Sequence, residues 1–590
     1  MSELAAIPAV TQSSMHQTKL DYHVPLHDDA TVEEKERSAI QAIQALFEQG
    51  WQVAVAFSGG KDSSVLMHLA LQAAIRAQEA GNEPHLVVFS SDTGVENPEV
   101  ALLLRREHVK IRGILATNGI RHKVILTQPS LASSWAVRIL GGNKLPSFPG
   151  SSHDCAVDFK VAPIASARGA VFKELGRDAT VTLIGTRFDE SAQRSRAMTA
   201  RGELAEHPYK NDAGEWVMSP IAYWTTDDVW EQIGLIRAGV IPSYSNFEDT
   251  FKLYADAGGT SCAVVSDAIT EGTKKARGGC GARFGCFVCQ AVSNDTSLDT
   301  MVEADQCYAY MGGLSKLRNL IARTRFDYTR RYWVQRSIDE TGSIKLQPDC
   351  YSPAFLLELF RYSASLDYTE RRAAARGRHP VRYQLLSLEA VVAIDALWSL
   401  NGLHAPHTAL LEWLAVMEGR AFFDVAQADK VPEAPRTLLP QAVPYNVGKT
   451  WDGAQFSMFT GSRNVVHSLA ESAVRVSKDG RELLSLANEP RMTVDIESVM
   501  MALDFEWESI LERHNTSAKG GDWTEGYRFW CSYGALSLAP AQQSEHDIVL
   551  RRTAWRAEHG FLGEEGNRRA QHLAAVAQAR TLETSTRVAA

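Results

Sequence analysis

Residues 58–63, Ser-Gly-Gly-Lys-Asp-Ser, combine the residue types that bind a phosphate group. They follow an alternating apolar run at 53–57 and precede apolar residues at helical spacing, which predicts a strand, a tight turn and a helix that begins near Asp62. Paired glycines let backbone amides approach a ligand, and the helix dipole and Lys61 add positive charge. Lys61 follows the glycines directly, so the order differs from a GxxxxGK[ST] loop. The predicted phosphate-binding residues are Ser58, Gly59, Gly60, Lys61, Asp62 and Ser63.

A second group with chemical potential consists of cysteines. Cys280, Cys286 and Cys289 lie within ten residues, and Cys262 lies eighteen residues before the first of them. Four thiolates fit either a tetrahedral zinc ion or an iron–sulfur cluster. A single Cys-x-x-Cys pair with nearby glycines favours the cluster, because backbone amides can then approach the sulfur atoms. Cys307 competes with Cys262 as the fourth predicted ligand.

Cys155 stands apart from this group, between His153 and Lys160. Two interpretations remain open: a structural thiol, or a nucleophile or persulfide carrier whose thiolate is favoured by the neighbouring cations. We expect Cys350 and Cys531 to be buried apolar side chains.

The elements that must position these residues alternate between strand and helix. The stretch beginning at Thr31 has a helix N-cap followed by Glu34, and Gly50 predicts its end. Later strands end at Asp92 and just before Arg187. Such alternation predicts an α/β fold with an open parallel sheet and helices on both faces. Parallel sheets bind ligands at the carboxyl ends of their strands, so we expect Asp92 to bind nucleotide and Arg187 to contact phosphate.

The segment SGGKDS resembles the PP-loop of the ATP pyrophosphatase superfamily. That resemblance implies a sheet of the adenine nucleotide alpha-hydrolase type that binds ATP and Mg²⁺. It also implies cleavage between the α- and β-phosphates, with Lys61 and Asp62 as catalytic residues. SDTGVENPEV, HDCAVDFKVAPI and IGTRFDESAQRSR resemble elements of the sulfonucleotide-reductase branch.

The segment CGARFGCFVCQAVSNDTSL is similar to the cysteine element of DNA phosphorothioation sulfurtransferases of the DndC and SspD type. With the PP-loop elements, the similarity covers roughly residues 30–310. It implies a [4Fe–4S] cluster held by Cys262, Cys280, Cys286 and Cys289. It also implies replacement of a non-bridging DNA phosphate oxygen by sulfur, with Cys155 as a candidate catalytic thiol. The implied partners are DNA, a cysteine desulfurase as sulfur donor, and other subunits of a phosphorothioation complex.

The rest of the chain is predicted to be mostly helical, with two runs that mix arginine and aromatic residues. These are KLRNLIARTRFDYTRRYWVQR and ERRAAARGRHPVRY, and such runs can hold phosphates and stack on unpaired bases. We therefore predict this organisation: a flexible N-terminal segment (1–30), a PP-loop domain (31–255), an iron–sulfur segment (256–310), a helical arginine-rich region (311–430), a Pro-rich linker (431–444) and a helical C-terminal region (445–590).

Composition narrows the class of protein further. We find no secretory signal or membrane-spanning run, which predicts a cytoplasmic protein without a membrane partner. The net charge of −9 requires any DNA-binding residues to be clustered. Two other functions stay open. One is an assimilatory sulfonucleotide reductase, expected to carry a Glu-Cys-Gly-x-His tail that does not end this sequence. The other is a non-catalytic ATP-sensing subunit of a defence complex.

Overall fold

The structure is a computed structural model. It describes residues 30–149, 154–190, 192–258, 284–292, 295–335, 337–339, 341–448, 451, 474–476, 482–484 and 492–589. The predicted flexible segment before Ala30 and the predicted ligands Cys262 and Cys280 lie outside the described residues.

Strands and helices alternate through the first half of the chain. In order they are α1 (Val32–Glu48), β1 (Gln52–Ala56), α2 (Lys61–Glu79), β2 (His85–Ser91), α3 (Pro98–Thr117), β3 (Arg121–Thr127), α4 (Ala162–Leu175), β4 (Thr180–Leu183), α5 (Ala192–Arg201), β5 (Tyr209–Lys210), β6 (Trp216–Met218), α6 (Thr226–Arg237) and α7 (Glu248–Gly258). Between β3 and α4 lie two π-helical turns, Ala136–Leu140 and Val157–Val161.

Six of these strands form one sheet in the order β3-β2-β1-β4-β6-β5. All neighbours are parallel except the β5–β6 pair at the edge. Val53 and Val55 of β1 are fully buried because helices cover both faces of the sheet. The predicted open parallel sheet with an α/β fold is therefore confirmed.

Local signals in the sequence set the helix ends of this half. The Thr31 hydroxyl accepts the Glu34 amide, and the Glu34 carboxylate accepts the Thr31 amide, so α1 begins with the predicted capping box. Thr225 and Asp228 form the same arrangement at the start of α6. Gly50 adopts a φ of +82° directly after α1, a conformation that glycine adopts without strain.

The second half is mainly helical. Its elements are α8 (Thr296–Ala304), α9 (Gly312–Arg323), β7 (Ser343–Leu346), α10 (Pro353–Gly377), α11 (Leu388–Leu400), α12 (Thr408–Met417), β8 (Val443–Asn446), β9 (Val474–Val476), β10 (Glu482–Leu484), β11 (Met492–Val494), α13 (Ile496–Phe505), α14 (Trp507–Ala518), α15 (Glu525–Ser532), β12 (Leu536–Leu538), α16 (Pro540–Glu558) and α17 (Gly563–Ala589). The segment predicted as a linker lies along these helices, with the Ala434 amide bonded to the Arg323 carbonyl.

Helix α11 is the centre of the helical core. Every side chain from Ala390 to Leu400 is buried, and the Trp398 indole donates to the Leu140 carbonyl at 2.7 Å. Phe287 and Val288, which sit between two cysteines, belong to the same apolar core. The turn that contains Cys286 and Cys289 is thus packed against the helical half of the chain.

A buried carboxylate ties this core together. Asp395 is 1% exposed, and its oxygens accept the Ala409 amide at 3.0 Å and the Trp530 indole at 2.8 Å. We expect Asp395→Ala to lower the free energy of unfolding by about 3–5 kcal/mol, because the Ala409 amide and the Trp530 indole both lose their acceptor in the interior. Urea unfolding measures the change. The exposed capping residue in Asp424→Ala should cost about 1 kcal/mol, and an equal loss in both variants would contradict the assignment.

Two buried histidines make stability depend on pH. Burial lowers the pKa of His108 and of His546 to about 4, below the ordinary value of 6.5. Each therefore takes up a proton on unfolding between pH 6.5 and 4. Stability is complete above pH 6.5 and falls as the pH drops, by at most about 1.4 kcal/mol per pH unit for each histidine. Urea midpoints at pH 7 and pH 5 test this, and His546→Gln should reduce the slope; a slope that His546→Gln leaves unchanged would contradict it.

No helix in the described part of the chain combines the length and apolar character needed to cross a bilayer.

Candidate active site

The PP-loop connects β1 to α2 and is closed by its own serines. The hydroxyls of Ser58 and Ser63 lie 3.0 Å apart, and the Ser63 hydroxyl donates to the Gly60 carbonyl at 3.0 Å. Gly60 is the N-cap of α2 and provides no side-chain acceptor. The Asp62 and Ser63 amides in the first turn of α2 therefore have no acceptor among the described residues and are available to an anion.

Glycines allow two close approaches around this loop. A Cβ on Gly60 would lie 3.2 Å from the Tyr254 hydroxyl, which accepts the Lys61 amide at 3.3 Å. A Cβ on Gly185, in the loop after β4, would lie 3.4 Å from the Asp62 carbonyl carbon. The PP-loop is thus in close contact with α7 on one side and the β4 loop on the other.

Asp62 lies between two cations. Its carboxylate is 2.8 Å from the Lys61 ammonium and 2.7 Å from Nε of Arg187. Arg187 is only 1% exposed, and it also donates to the Trp224 carbonyl at 3.2 Å and lies 3.5 Å from Asp189. Arg187 therefore orients the Asp62 carboxylate through this ion pair, and its side chain does not line the cleft above the PP-loop.

The cleft above the PP-loop has a volume of about 450 Å³, which suits a nucleotide-sized ligand. Of the predicted residues, Ser58, Gly60, Asp62, Ser63 and Asp92 line it, whereas Gly59, Lys61 and Arg187 do not. Arg105, Lys160 and Tyr254 are among the lining residues that were not assigned to the site from the sequence. Lys160 lies in a motif that the sequence did single out, whereas nothing in the helical patterns around Arg105 and Tyr254 marked them.

The Cys-x-x-Cys pair forms a tight turn against the nucleotide domain. The Cys289 amide donates to the Cys286 carbonyl at 2.8 Å, and the Phe287 amide donates to the Val95 carbonyl at 2.9 Å. The Cys286 sulfur lies 3.6 Å from the Thr93 hydroxyl, and burial raises the pKa of this thiol to about 12. Without a bound metal, Cys286 is therefore a neutral thiol at neutral pH.

Arg318 holds the same turn from the helical side. Its guanidinium donates to the carbonyls of Cys289 and Val292 at 3.1 and 2.7 Å, and it is 1% exposed. Arg331 is also buried, while Arg330 pairs with Glu358 at 2.6 Å. Arg318 and Arg331 therefore stabilise the fold, and they do not form the exposed phosphate-binding surface that the sequence had indicated for this run.

A second cavity, of about 360 Å³, brings three cysteines together. Cys155, Cys286 and Cys289 all line it, and Cys155 is half-buried. Cys307 is exposed and does not line this cavity. Cys350 is buried as predicted, whereas Cys531 is only half-buried.

Two residues lie at the boundary of the cleft and the cysteine cavity. Lys160 and Glu96 both line the nucleotide cleft and are 2.6 Å apart, and the backbone of Glu96 pairs with that of Cys286. Burial alone would lower the pKa of Lys160, but the charge and hydrogen bond of the Glu96 carboxylate outweigh it, and the pKa is raised. The cation is therefore retained between the nucleotide cleft and the thiols.

The resemblances imply two metal groups, a Mg²⁺ ion and an iron–sulfur cluster. Asp62 and Asp92 are carboxylates on the cleft, which suits a Mg²⁺ ion held jointly with phosphates. For the cluster, the described residues contribute the Cys286–Cys289 turn, and they contain no group of three potential ligands close enough to bind a metal. The remaining predicted ligands, Cys262 and Cys280, lie outside the described residues.

Comparison with known proteins defines the class of the nucleotide domain. Residues 52–245 match the family described as "Phosphoadenosine phosphosulfate reductase domain". Together with the parallel sheet and the phosphate-binding loop, this match makes the region a nucleotide-utilising PP-loop domain of the phosphoadenosine phosphosulfate reductase type. No curated protein matches the chain.

Several solved structures resemble parts of the chain. A Candida glabrata FMN adenylyltransferase with FMN and an ATP analogue is 12% identical over 40% of this chain, with a TM-score of 0.24. The U34-tRNA thiolase NcsA from Methanococcus maripaludis, solved with its [4Fe–4S] cluster, is 13% identical over 50% of this chain and 77% of its own, with a TM-score of 0.21. NAD⁺ synthetase from Burkholderia pseudomallei is 17% identical over 38% of this chain and 74% of its own, with a TM-score of 0.24. The chain spans 65% of the length of the FMN adenylyltransferase.

Proposed function

We propose that this protein is an ATP-dependent sulfurtransferase of a DNA phosphorothioation system. It activates a backbone phosphate of DNA with release of pyrophosphate and replaces a non-bridging oxygen by sulfur. The observation that carries the proposal is the position of three thiols, those of Cys155, Cys286 and Cys289, in a cavity beside the nucleotide cleft.

The two cavities are adjacent, and sulfur transfer to an activated phosphate needs the nucleotide and the sulfur-carrying thiol within reach of the same phosphorus atom. The cleft provides PP-loop amides and the Asp62 carboxylate, which suit a pyrophosphate leaving group with its Mg²⁺. Across the Lys160–Glu96 pair lie the thiols, which suit a sulfur carrier. Lys160 is placed to neutralise negative charge that develops between the two.

The reaction has two displacements. A non-bridging oxygen of the DNA phosphate attacks the α-phosphorus of ATP, the bond to the β-phosphate bridge breaks, and pyrophosphate leaves. The terminal sulfur of a persulfide on Cys155, formed with a cysteine desulfurase, then attacks the activated DNA phosphorus, and AMP leaves with the oxygen that has been replaced. A thiol reductant then cleaves the disulfide bond between that sulfur and Cys155, which leaves the sulfur on phosphorus and the reductant oxidised. The PP-loop holds the pyrophosphate, Asp62 and Asp92 hold Mg²⁺, and Cys155 is the candidate carrier thiol. A [4Fe–4S] cluster on Cys286, Cys289, Cys262 and Cys280 would have a thiolate on each iron, and the chemistry it would supply there is electron transfer.

Mass spectrometry of nuclease-digested host DNA tests this function. Cells with the intact gene set should contain nuclease-resistant dinucleotides with one sulfur in the linkage. Cells carrying Ser63→Ala should contain none, because Ser63 closes the PP-loop. If the intact strain lacked these dinucleotides, the proposal would be wrong.

The family match itself favours a second candidate, an assimilatory reductase of phosphoadenylyl or adenylyl sulfate. The same cleft would then bind the sulfonucleotide, and the sulfur would leave as sulfite. Incubating the purified protein with either sulfonucleotide and a thiol reductant separates the two, since only a reductase forms sulfite. A non-catalytic ATP-sensing subunit would form neither sulfite nor pyrophosphate.

A further inference from the structure

A groove of about 460 Å³ lies on α10, in the second arginine-rich run. Along the helix, Tyr368, Arg372 and Arg376 are spaced four residues apart and therefore project from one face. The remaining lining residues are Thr369, Ala373, Gly419, Ala421 and Phe422. The lining contains no carboxylate, although the chain as a whole carries a net charge of −9.

The two arginines of this groove form no ion pair with any described carboxylate. Arg372 is exposed and donates only to the Tyr368 hydroxyl, at 2.9 Å. Arg376 is exposed and makes no ion pair or hydrogen bond with any described residue. The nearest carboxylates in sequence are committed elsewhere: Glu370 pairs with Arg382 at 2.7 Å and Glu418 with Arg420 at 2.5 Å. This differs from Arg318 and Arg331 of the first run, which are buried.

An aromatic ring forms the opposite side of the groove. Phe422 is 58% exposed, which is unusual for a side chain of this size. Its neighbour is anchored, because the Phe423 amide donates to the Ser365 hydroxyl at 2.9 Å and the Phe423 ring lies under Arg361. Phe422 is thus held at the edge of the groove, and its ring contacts no other aromatic ring or cation among the residues that the structure describes.

Gly419 sets the width of the groove. It has a φ of +74°, and a Cβ at this position would lie 2.8 Å from the Tyr368 hydroxyl. The small residues Gly419 and Ala421 leave open the space between the arginines and the ring.

We propose that this groove binds a single strand of nucleic acid, with neighbouring phosphates on Arg372 and Arg376 and an unpaired base stacked on Phe422. The four-residue spacing places the two arginines about 6 Å apart along α10, which suits adjacent phosphates. Arginine combined with an exposed ring is the pairing that holds unpaired strands, whereas the bases of a duplex are already stacked on one another. The inference rests on the proposed function only in taking DNA as the strand.

Fluorescence anisotropy with the full-length protein and a labelled 20-nucleotide DNA strand tests this. The double substitution Arg372→Gln and Arg376→Gln should lower affinity at least ten-fold, and the slope of log affinity against log salt should fall by about 1.4, since each single-strand phosphate contact contributes about 0.7. Phe422→Ala should lower affinity for the strand about five-fold and leave the salt slope unchanged. Phe422→Trp keeps a ring for stacking and should bind the strand with the affinity of the wild type.

A matched control removes the same charge elsewhere. Arg37 and Arg121 are exposed arginines of the nucleotide domain, and Arg37→Gln with Arg121→Gln should leave strand affinity within two-fold of wild type. Thermal unfolding shows that all variants are folded. Equal losses in both double variants, tighter binding of the duplex than of the strand, or binding of an acidic peptide in place of DNA would each overturn the inference. Strand binding at the groove without phosphorothioate in cells would instead overturn the proposed function alone.

Discussion

Asp62→Ala is expected to lower the rate of ATP cleavage by about a hundred-fold to a thousand-fold while the sheet stays folded. The carboxylate is the only cleft-lining group that also contacts both Lys61 and Arg187 among the described residues. Its removal withdraws the proposed Mg²⁺ ligand and lets both cations reorient, and the loss of one preorganised charge costs about this much in rate. Lys61→Ala should act in the same direction, because it removes a cation at the phosphate site.

Chromatography of the nucleotide products provides the measurement. Wild-type protein with DNA should form AMP and pyrophosphate in equal amounts, and both variants should form neither at a comparable rate. Asp189→Ala is the matched control, since Asp189 also pairs with Arg187, at 3.5 Å, but does not line the cleft. Release of ADP and phosphate by the wild-type protein would show that the PP-loop interpretation is wrong.

Cys289→Ser should abolish both iron binding and DNA phosphorothioation. Anaerobically purified wild-type protein should be brown and contain about four irons per chain. Cys289 lies in the turn held by Arg318 and faces the cavity shared with Cys155, so a serine hydroxyl there removes a thiolate ligand without disturbing the backbone contacts. Cys155→Ser should keep the iron and lose the phosphorothioate, if Cys155 carries sulfur and is not a ligand.

Iron analysis and mass spectrometry of digested DNA measure these two outcomes separately. Cys307→Ser is the matched control, because its thiol is exposed and lies away from the cavity. If the Cys307→Ser protein keeps the wild-type iron content, Cys262 stays the predicted fourth ligand. If it loses iron, Cys307 takes the place of Cys262 in that prediction. A colourless wild-type protein with stoichiometric zinc would contradict the cluster and most of the sulfur-transfer mechanism.

Much of the nucleotide domain could be predicted from the sequence because its signals are local. The alternation around Val53 and Val55, the glycine pair after it and the capping box at Thr31 each act within a few residues. A parallel sheet then places the carboxyl ends of its strands at one edge, so Asp92 could be assigned to the cleft. These assignments needed no knowledge of distant contacts.

Burial of charged residues could not be predicted in this way. The phosphate contact of Arg187 stays a prediction, but the sequence did not indicate that this side chain is buried against Asp62 and the Trp224 carbonyl. Arg318 and Arg376 belong to similar arginine-rich runs, but one clamps the cysteine turn and the other lines an open groove. A guanidinium can satisfy its donors with carbonyls or with phosphates, so sequence alone does not separate the two.

By itself, the sequence determined the phosphate-binding loop, the open parallel sheet and the cysteine spacing, since periodicity, glycine and capping act over short distances. Only the tertiary structure decided that Cys155 shares a cavity with Cys286 and Cys289, and that Lys160 and Glu96 lie between them and the nucleotide cleft. Cys155 and Lys160 are more than a hundred positions before Cys286 and Cys289 in the sequence. Their proximity follows from how the helical half packs against the sheet, a property of many weak apolar contacts that no short segment carries.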